Sequence, residues 1–222
     1  MTSSSRRIHG LYAITEAGLI AADRFAEAVE QAILGGARLI QYRDKSANLE
    51  RRLQEARVLN TLCKAHGIPL IINDDVELAV TVSAAGVHLG KDDADLTSAR
   101  ARLGESAIIG VSCYDRLDLA VAAEQAGADY AAFGSFFSSP TKPAAVRADV
   151  ELLRTARRLL SFPIVAIGGI TPANGSALVA AGADCLAVIS GVFGQDDVRS
   201  AARAYAELYD FNANATPPRN AP

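Results

Sequence analysis

Ala37-Arg38-Leu39-Ile40-Gln41-Tyr42-Arg43-Asp44-Lys45 is an apolar strand-like run that turns abruptly polar at its C-terminal end. Side chains alternate with a period of two along an extended segment, so Gln41, Arg43 and Lys45 share one face. If that face looks into a barrel, two cations and an amide donor project into its mouth, where a ligand with several phosphate charges can be held. The plain alternative is an edge strand carrying ordinary surface charges. The neighbouring segments decide between them.

Outward from this run, the pattern of an apolar stretch, a polar strand end and then an amphipathic segment recurs along the chain, as consecutive βα units around a parallel sheet require. Strands are predicted over 8–14, 37–42, 68–73, 86–90, 107–112, 128–134, 163–167 and 185–189, with helices over 22–34, 48–66, 76–83, 96–103, 117–126, 150–160, 172–181 and 197–209. Gly35-Gly36, Gly67, Gly127 and Gly182 stop four of these helices. About eight βα units predict an α/β fold, a single (β/α)8 TIM barrel. A doubly wound open sheet is the competing architecture, but it usually carries Gly-x-Gly-x-x-Gly after the first strand, where this chain has Thr15-Glu16-Ala17-Gly18.

The bulk numbers agree with one domain. Half of the 222 residues are apolar, which is enough for one large core, expected over 1–210. The segment 211–222, rich in Asn, Ala and Pro without periodicity, is expected to be a disordered tail. A net charge of −3 and a pI near 5.6 point to no nucleic-acid and no membrane partner, so any anion must be met by local cations. Cys63, Cys113 and Cys185 are scattered and fit neither a disulfide framework nor a structural zinc site, and a reducing cytoplasm is the expected location. Residues 1–7 have no apolar stretch behind their arginines, and no run reaches the ~18 apolar residues of a membrane span.

In a barrel of this type the C-terminal strand ends build the active site. Those ends carry the polar residues of this chain, and the opposite ends are expected to lack a comparable set. Asn73-Asp74 and Asp92-Asp93 end neighbouring strands, and two carboxylates with open positions suit Mg²⁺ completed by a diphosphate. Both pairs also precede helices and can act as N-caps; one Asp of each pair is expected to cap and the other to bind metal. Gly168-Gly169 and Ile189-Ser190-Gly191 form a second constellation, where backbone N–H groups can approach a phosphate. The loop 134–142 reads as too polar for a core, and its hydroxyls with Lys142 can wrap an anion. Ser112 adds a hydroxyl at the mouth. His88 reads as a hydrogen-bonded structural residue, Tyr130 and Cys113 as packing residues with Cys113 near the mouth, and His9 and His66 as lacking polar company. No Ser-His-Asp arrangement, Schiff-base lysine or zinc spacing is present.

From Leu11 to Ser190 the chain resembles the thiamine phosphate synthase family, through blocks in fixed order. These are Gln41-x-Arg43-x-Lys45, Asn73-Asp74, His88-Leu89-Gly90-x-x-Asp93, Gly110-Val111-Ser112, Thr141-Lys142 and Ile167-Gly168-Gly169-Ile170-Thr171. The resemblance implies a transferase of thiamine biosynthesis that joins hydroxymethylpyrimidine diphosphate to thiazole phosphate, giving thiamine phosphate and diphosphate. It implies that Gln41, Arg43, Lys45, Asn73 and Lys142 hold the pyrimidine diphosphate and that Ser112 contacts its diphosphate. It further implies that Asp74 and Asp93 bind Mg²⁺, and that Ser139, Thr141, Gly169, Ile189 and Ser190 bind the thiazole phosphate. On this reading Arg43, Lys45, Ser112 and Lys142 are the catalytic set, the partners are the two small-molecule substrates, and a homo-oligomer is left open. Two positions depart from the family pattern: Ser139 stands where Thr is usual, and Gly134-Ser135 where Gly-Pro is usual. The alternatives are a thiazole tautomerase of the same barrel superfamily, expected to lack the intact diphosphate set, and a non-catalytic phosphate sensor, with little use for both aspartates.

Overall fold

Eight parallel strands close on themselves in a computed structural model that describes residues 8–90, 95–138 and 147–213. They are β1 (Gly10–Ile14), β2 (Ala37–Tyr42), β3 (Leu70–Asn73), β4 (Gly86–Leu89), β5 (Ile108–Tyr114), β6 (Tyr130–Phe133), β7 (Ile164–Ile167) and β8 (Cys185–Val188). Each pairs with its successor, and β8 returns to β1 with Cys185 opposite Gly10. The helices between them are α1 (Phe25–Leu34), α2 (Leu49–Ala65), α3 (Val76–Val82), α4 (Leu96–Leu103), α5 (Leu117–Gln125), α6 (Val150–Leu159) and α7 (Pro172–Ala180). After β8 come a four-residue helix, α8 (Ser190–Phe193), and the long α9 (Val198–Ala213).

The period of two along each strand divides the core into two layers. Tyr12 and Ile14 of β1 and Cys185 and Ala187 of β8 belong to the cluster that fills the bore. The intervening Leu11, Ala13, Leu186 and Val188 pack outward under the helices. At the base, Asp129 and Asp184 immediately precede β6 and β8, and each accepts a neighbouring strand's N–H, Ile109 at 2.9 Å and Ile164 at 2.8 Å. Arg100 and Arg157 hold these carboxylates at 2.7 and 2.8 Å, so each arginine closes a staple at the N-terminal face.

Three expectations shift in detail. α9 continues through Ala213, past the predicted start of the tail at 211, and 214–222 lie outside the described residues. α8 was not anticipated, being too short to show a period. β5 runs on to Tyr114, with a register shift between Ser112 and Tyr114 and a φ of 55° at Tyr114; Ser112 therefore sits within the strand.

Candidate active site

The turn after β2 is fixed by the residues that alternate with the cations. Asp44 is buried and accepts from Arg51 Nη2 at 2.6 Å and from the Ser46 N–H at 2.8 Å. Burial alone would lift its carboxyl, but the Ser46 N–H and the Arg51 guanidinium outweigh this and hold it below the usual carboxylate range. Beside the anchored Asp44, Arg43 and Lys45 pair with different carboxylates. The Arg43 N–H donates to Thr15 Oγ1 at 3.0 Å and its guanidinium pairs with Glu16 beyond β1. Lys45 Nζ lies 3.2 Å from Asp74 Oδ2 beyond β3. Burial draws the Arg43 pKa below its ordinary value, opposed by the charge of Asp74.

Asp74 has a φ of 64°, and its N–H donates to the His88 carbonyl at 2.8 Å. Asp75 is the residue that caps α3, accepting from the Leu78 N–H at 2.8 Å while Arg52 holds its other oxygen at 2.7 Å. α4 is capped by Asp95, which accepts from the Ser98 N–H at 3.0 Å. The expected division of labour within Asn73-Asp74 and Asp92-Asp93 is thus corrected: both caps come from a later aspartate, and Asp74 is left at the mouth. Asp93 lies outside the described residues, as do Ser139, Thr141 and Lys142.

Below these charges a chain of hydrogen bonds crosses the bore. Gln41 Nε2 donates to the Tyr12 hydroxyl at 2.7 Å, the Tyr12 and Tyr130 hydroxyls are 3.0 Å apart, His88 Nδ1 is 3.0 Å from Tyr130, and His88 Nε2 is 2.9 Å from Ser112 Oγ. With the Gln41 amide donating, two directions serve the rest of the chain: Tyr12 to Tyr130 to His88 Nδ1 with His88 Nε2–H donating to Ser112, or the reverse, in which Ser112 donates to His88 Nε2, His88 Nδ1–H to Tyr130 and Tyr130 to Tyr12. In the first of these the Ser112 proton points away from His88, toward the mouth of the barrel. Gly110 makes room for this chain, since a Cβ there would overlap the Tyr130 ring. Tyr130 is therefore more than the packing residue expected, and His88 reaches a site residue.

Burial raises the Tyr12 and Tyr130 hydroxyls above the ordinary 10.0. It also pushes the Cys63 and Cys113 thiols from 9.0 up to about 12. Groups whose folded pKa is raised contribute stability that is complete below the unfolded value and is lost as pH rises through the folded one. The urea midpoint is therefore expected to fall as pH climbs above about 9, and Tyr12→Phe is expected to flatten that fall. Equal slopes for the variant and the parent would contradict the burial of this hydroxyl.

Gly168 and Gly169 follow β7 with φ of 104° and 62°, a backbone that glycine adopts without strain. Side chains there would also strike Ser135 and the Ser138 carbonyl. Ile189, the N-cap of α8, and Ser190 follow the adjacent β8. The intervening loop is less polar in its placement than its composition implies: Phe136 is buried in the outer core and its N–H donates to the Ile167 carbonyl at 3.2 Å. Cys113 also packs in that core, with Sγ 3.6 Å from the Val111 carbonyl, and does not face the mouth as expected. His66 has company after all, lying 3.3 Å from Glu30 Oε1, and the His9 ring meets that of Tyr209 at 4.9 Å.

The family model described as thiamine monophosphate synthase matches residues 11–192. The chain belongs to the thiamine monophosphate synthase family. Among members of that family, it is 52% identical over 210 residues to a thiamine-phosphate synthase from Thioalkalivibrio sulfidiphilus, covering 95% of this chain and 100% of the relative. A thiamine-phosphate synthase from Nitrosococcus oceani is 54% identical over 205 residues, covering 92% and 94%. The solved thiamine phosphate pyrophosphorylase from Pyrococcus furiosus superposes with a TM-score of 0.83 at 34% identity, covering 93% of this chain and 98% of that one. The expected fold and family, with its transferase class, thus stand. Tyr12, Thr15, Glu16 and Tyr130 were missed in the sequence, where Tyr12 and Tyr130 look like apolar strand residues and Glu16 like a loop charge.

Proposed function

We propose that the mouth of the barrel joins 4-amino-2-methyl-5-hydroxymethylpyrimidine diphosphate to 4-methyl-5-(2-phosphoethyl)thiazole, giving thiamine phosphate and diphosphate. What carries the reading is the convergence of Gln41, Arg43, Lys45, Asn73, Asp74 and Ser112 at the C-terminal ends of β2, β3 and β5, within a chain of this family.

In the reaction, the carbon–oxygen bond to diphosphate breaks with its electron pair going to the leaving oxygen. The thiazole nitrogen then supplies the pair that forms the new carbon–nitrogen bond. The aminopyrimidine delocalises the positive charge, so the residues need only stabilise the departing anion and align the nucleophile. Gln41 and Asn73 orient the pyrimidine, Arg43 and Lys45 neutralise the diphosphate, and the Ser112 hydroxyl contacts a diphosphate oxygen. Lys142 approaches the same anion, while Gly169, Ile189 and Ser190 with Ser139 and Thr141 hold the thiazole phosphate.

The mouth also suits Mg²⁺. Asp74 offers a hard carboxylate oxygen that no helix cap consumes, beside a lysine that can exchange it for a phosphate. Asp74 and Asp93 would hold the ion, whose charge assists departure of the diphosphate. Three free, buried cysteines suit a reducing cytoplasm.

Purified protein given Mg²⁺ and both substrates is expected to release diphosphate together with a product of thiamine phosphate mass. A folded protein that binds the substrates but releases neither would favour the sensor reading. Conversion of the thiazole phosphate alone would favour the tautomerase.

A further inference from the structure

The N-terminal face of the barrel was expected to lack a polar set, yet it holds a cavity of about 490 Å³ between the starts of β1 and β2 and the helix α9. Three arginines line it: Arg38 from β2, and Arg199 and Arg203 from successive turns of α9. On the same face Arg100 and Arg157 are each consumed by an aspartate staple. Arg38 and Arg199 have no such staple among the described residues, although Arg199 shares a charge interaction with Asp197. Among the described residues Arg203 pairs with Glu207 one turn along, at 3.3 Å, with both side chains more than half exposed. Such an exposed pair contributes little and yields readily to a better anion.

The cavity is formed by close approach of backbone. Gly35 and Gly36 lie against α9 so tightly that a Cβ on either would strike Arg199, Ala202 or Ala206. Its wall includes the buried ring of Tyr209, which meets the ring of His9 at 4.9 Å. Glu207 and Asp210 also line it, so the arginines exceed the carboxylates by one. Arginines around a concave space are suited to the oxygens of a phosphate, and the volume falls within the ~300–1,000 Å³ of small-molecule sites. Inorganic phosphate would leave most of it empty.

We propose that this cavity is a second ligand site, separate from the mouth, that takes a small phosphomonoester, with Arg38, Arg199 and Arg203 on the phosphate and the organic part toward Tyr209. The proposal is independent of the reaction at the mouth.

Titration of ¹⁵N-labelled protein with phenyl phosphate tests it, with inorganic phosphate as a parallel probe. Saturable amide shifts are expected at Gly10, Gly35, Gly36 and the first turn of α9, with phenyl phosphate the tighter of the two. In Arg38→Ala/Arg203→Ala these shifts should need at least about tenfold more ligand, and turnover at the mouth should be retained. The single variant Arg199→Gln gives a milder version of the same loss if the double variant folds poorly. Absence of shifts around Gly35 and Gly36 in the parent overturns the proposal. So do shifts that persist undiminished in folded variants, or an equal response to sodium chloride at matched ionic strength.

Discussion

Replacing Asp74 with asparagine should lower turnover in the coupling assay by about 10²- to 10³-fold while the melting temperature moves by less than about 3 °C. The substitution removes a charge and little else. Asparagine tolerates the left-handed backbone that Asp74 adopts at φ 64°, where alanine would add strain of its own. The helix start does not depend on it either, because Asp75 caps α3. The reciprocal variant Asp75→Ala should behave the opposite way. Loss of the cap costs about 1 kcal/mol, with more from the released Arg52, and turnover should fall far less than in Asp74→Asn. Paired measurements of kcat and thermal unfolding on both variants decide the matter. If Asp74→Asn unfolds as readily as it loses activity, Asp74 is a structural residue and the metal-binding role is lost with it.

Arg43→Ala should damage both activity and stability, and a second substitution should separate the two. The Arg43 guanidinium and the Glu16 carboxylate are 14% and 22% exposed, so removing the cation leaves a largely buried anion without its partner. A penalty of about 1–3 kcal/mol follows, along with a fall in turnover of about 10²-fold or more. Arg43→Ala/Glu16→Gln removes the stranded charge and should recover most of the urea midpoint, yet none of the turnover, because glutamine brings no cation to the diphosphate. Recovery of turnover in the double variant would show that Arg43 serves only to neutralise Glu16.

The barrel was legible because its period is written into each segment: apolar runs such as Leu39-Ile40 and Leu70-Ile71-Ile72 turn polar at one end, and glycines stop the helices between them. The same regularity located Gln41, Arg43, Lys45, Asn73, Asp74 and Ser112 at the mouth. What a linear reading lacks is register and backbone angle. Asp74 and Asp75 are chemically identical, and only the left-handed turn at Asp74 and the hydrogen bond to Leu78 assign the cap to Asp75. Tyr12 and Tyr130 carry no signal of their own, since a tyrosine in a strand is normally a packing residue; they become a polar pair only when closure of the barrel brings β1 and β6 across the bore. The basal cavity was invisible for a related reason. Its arginines come from β2 and α9, distant in sequence and joined by the packing of α9 beneath Gly35-Gly36.

Gly110 has a bearing on how relatives of this chain should vary. Its missing side chain is the space that the Tyr130 ring occupies, so an alanine at 110 and a tyrosine at 130 exclude each other in this backbone. The two positions are bound to drift together: a lineage that enlarges the first must shrink or turn the second, and with it forfeit the hydroxyl through which Gln41 and Ser112 are joined. A glycine aligned at 110 is then a marker, readable without coordinates, of which members can keep that internal wire intact.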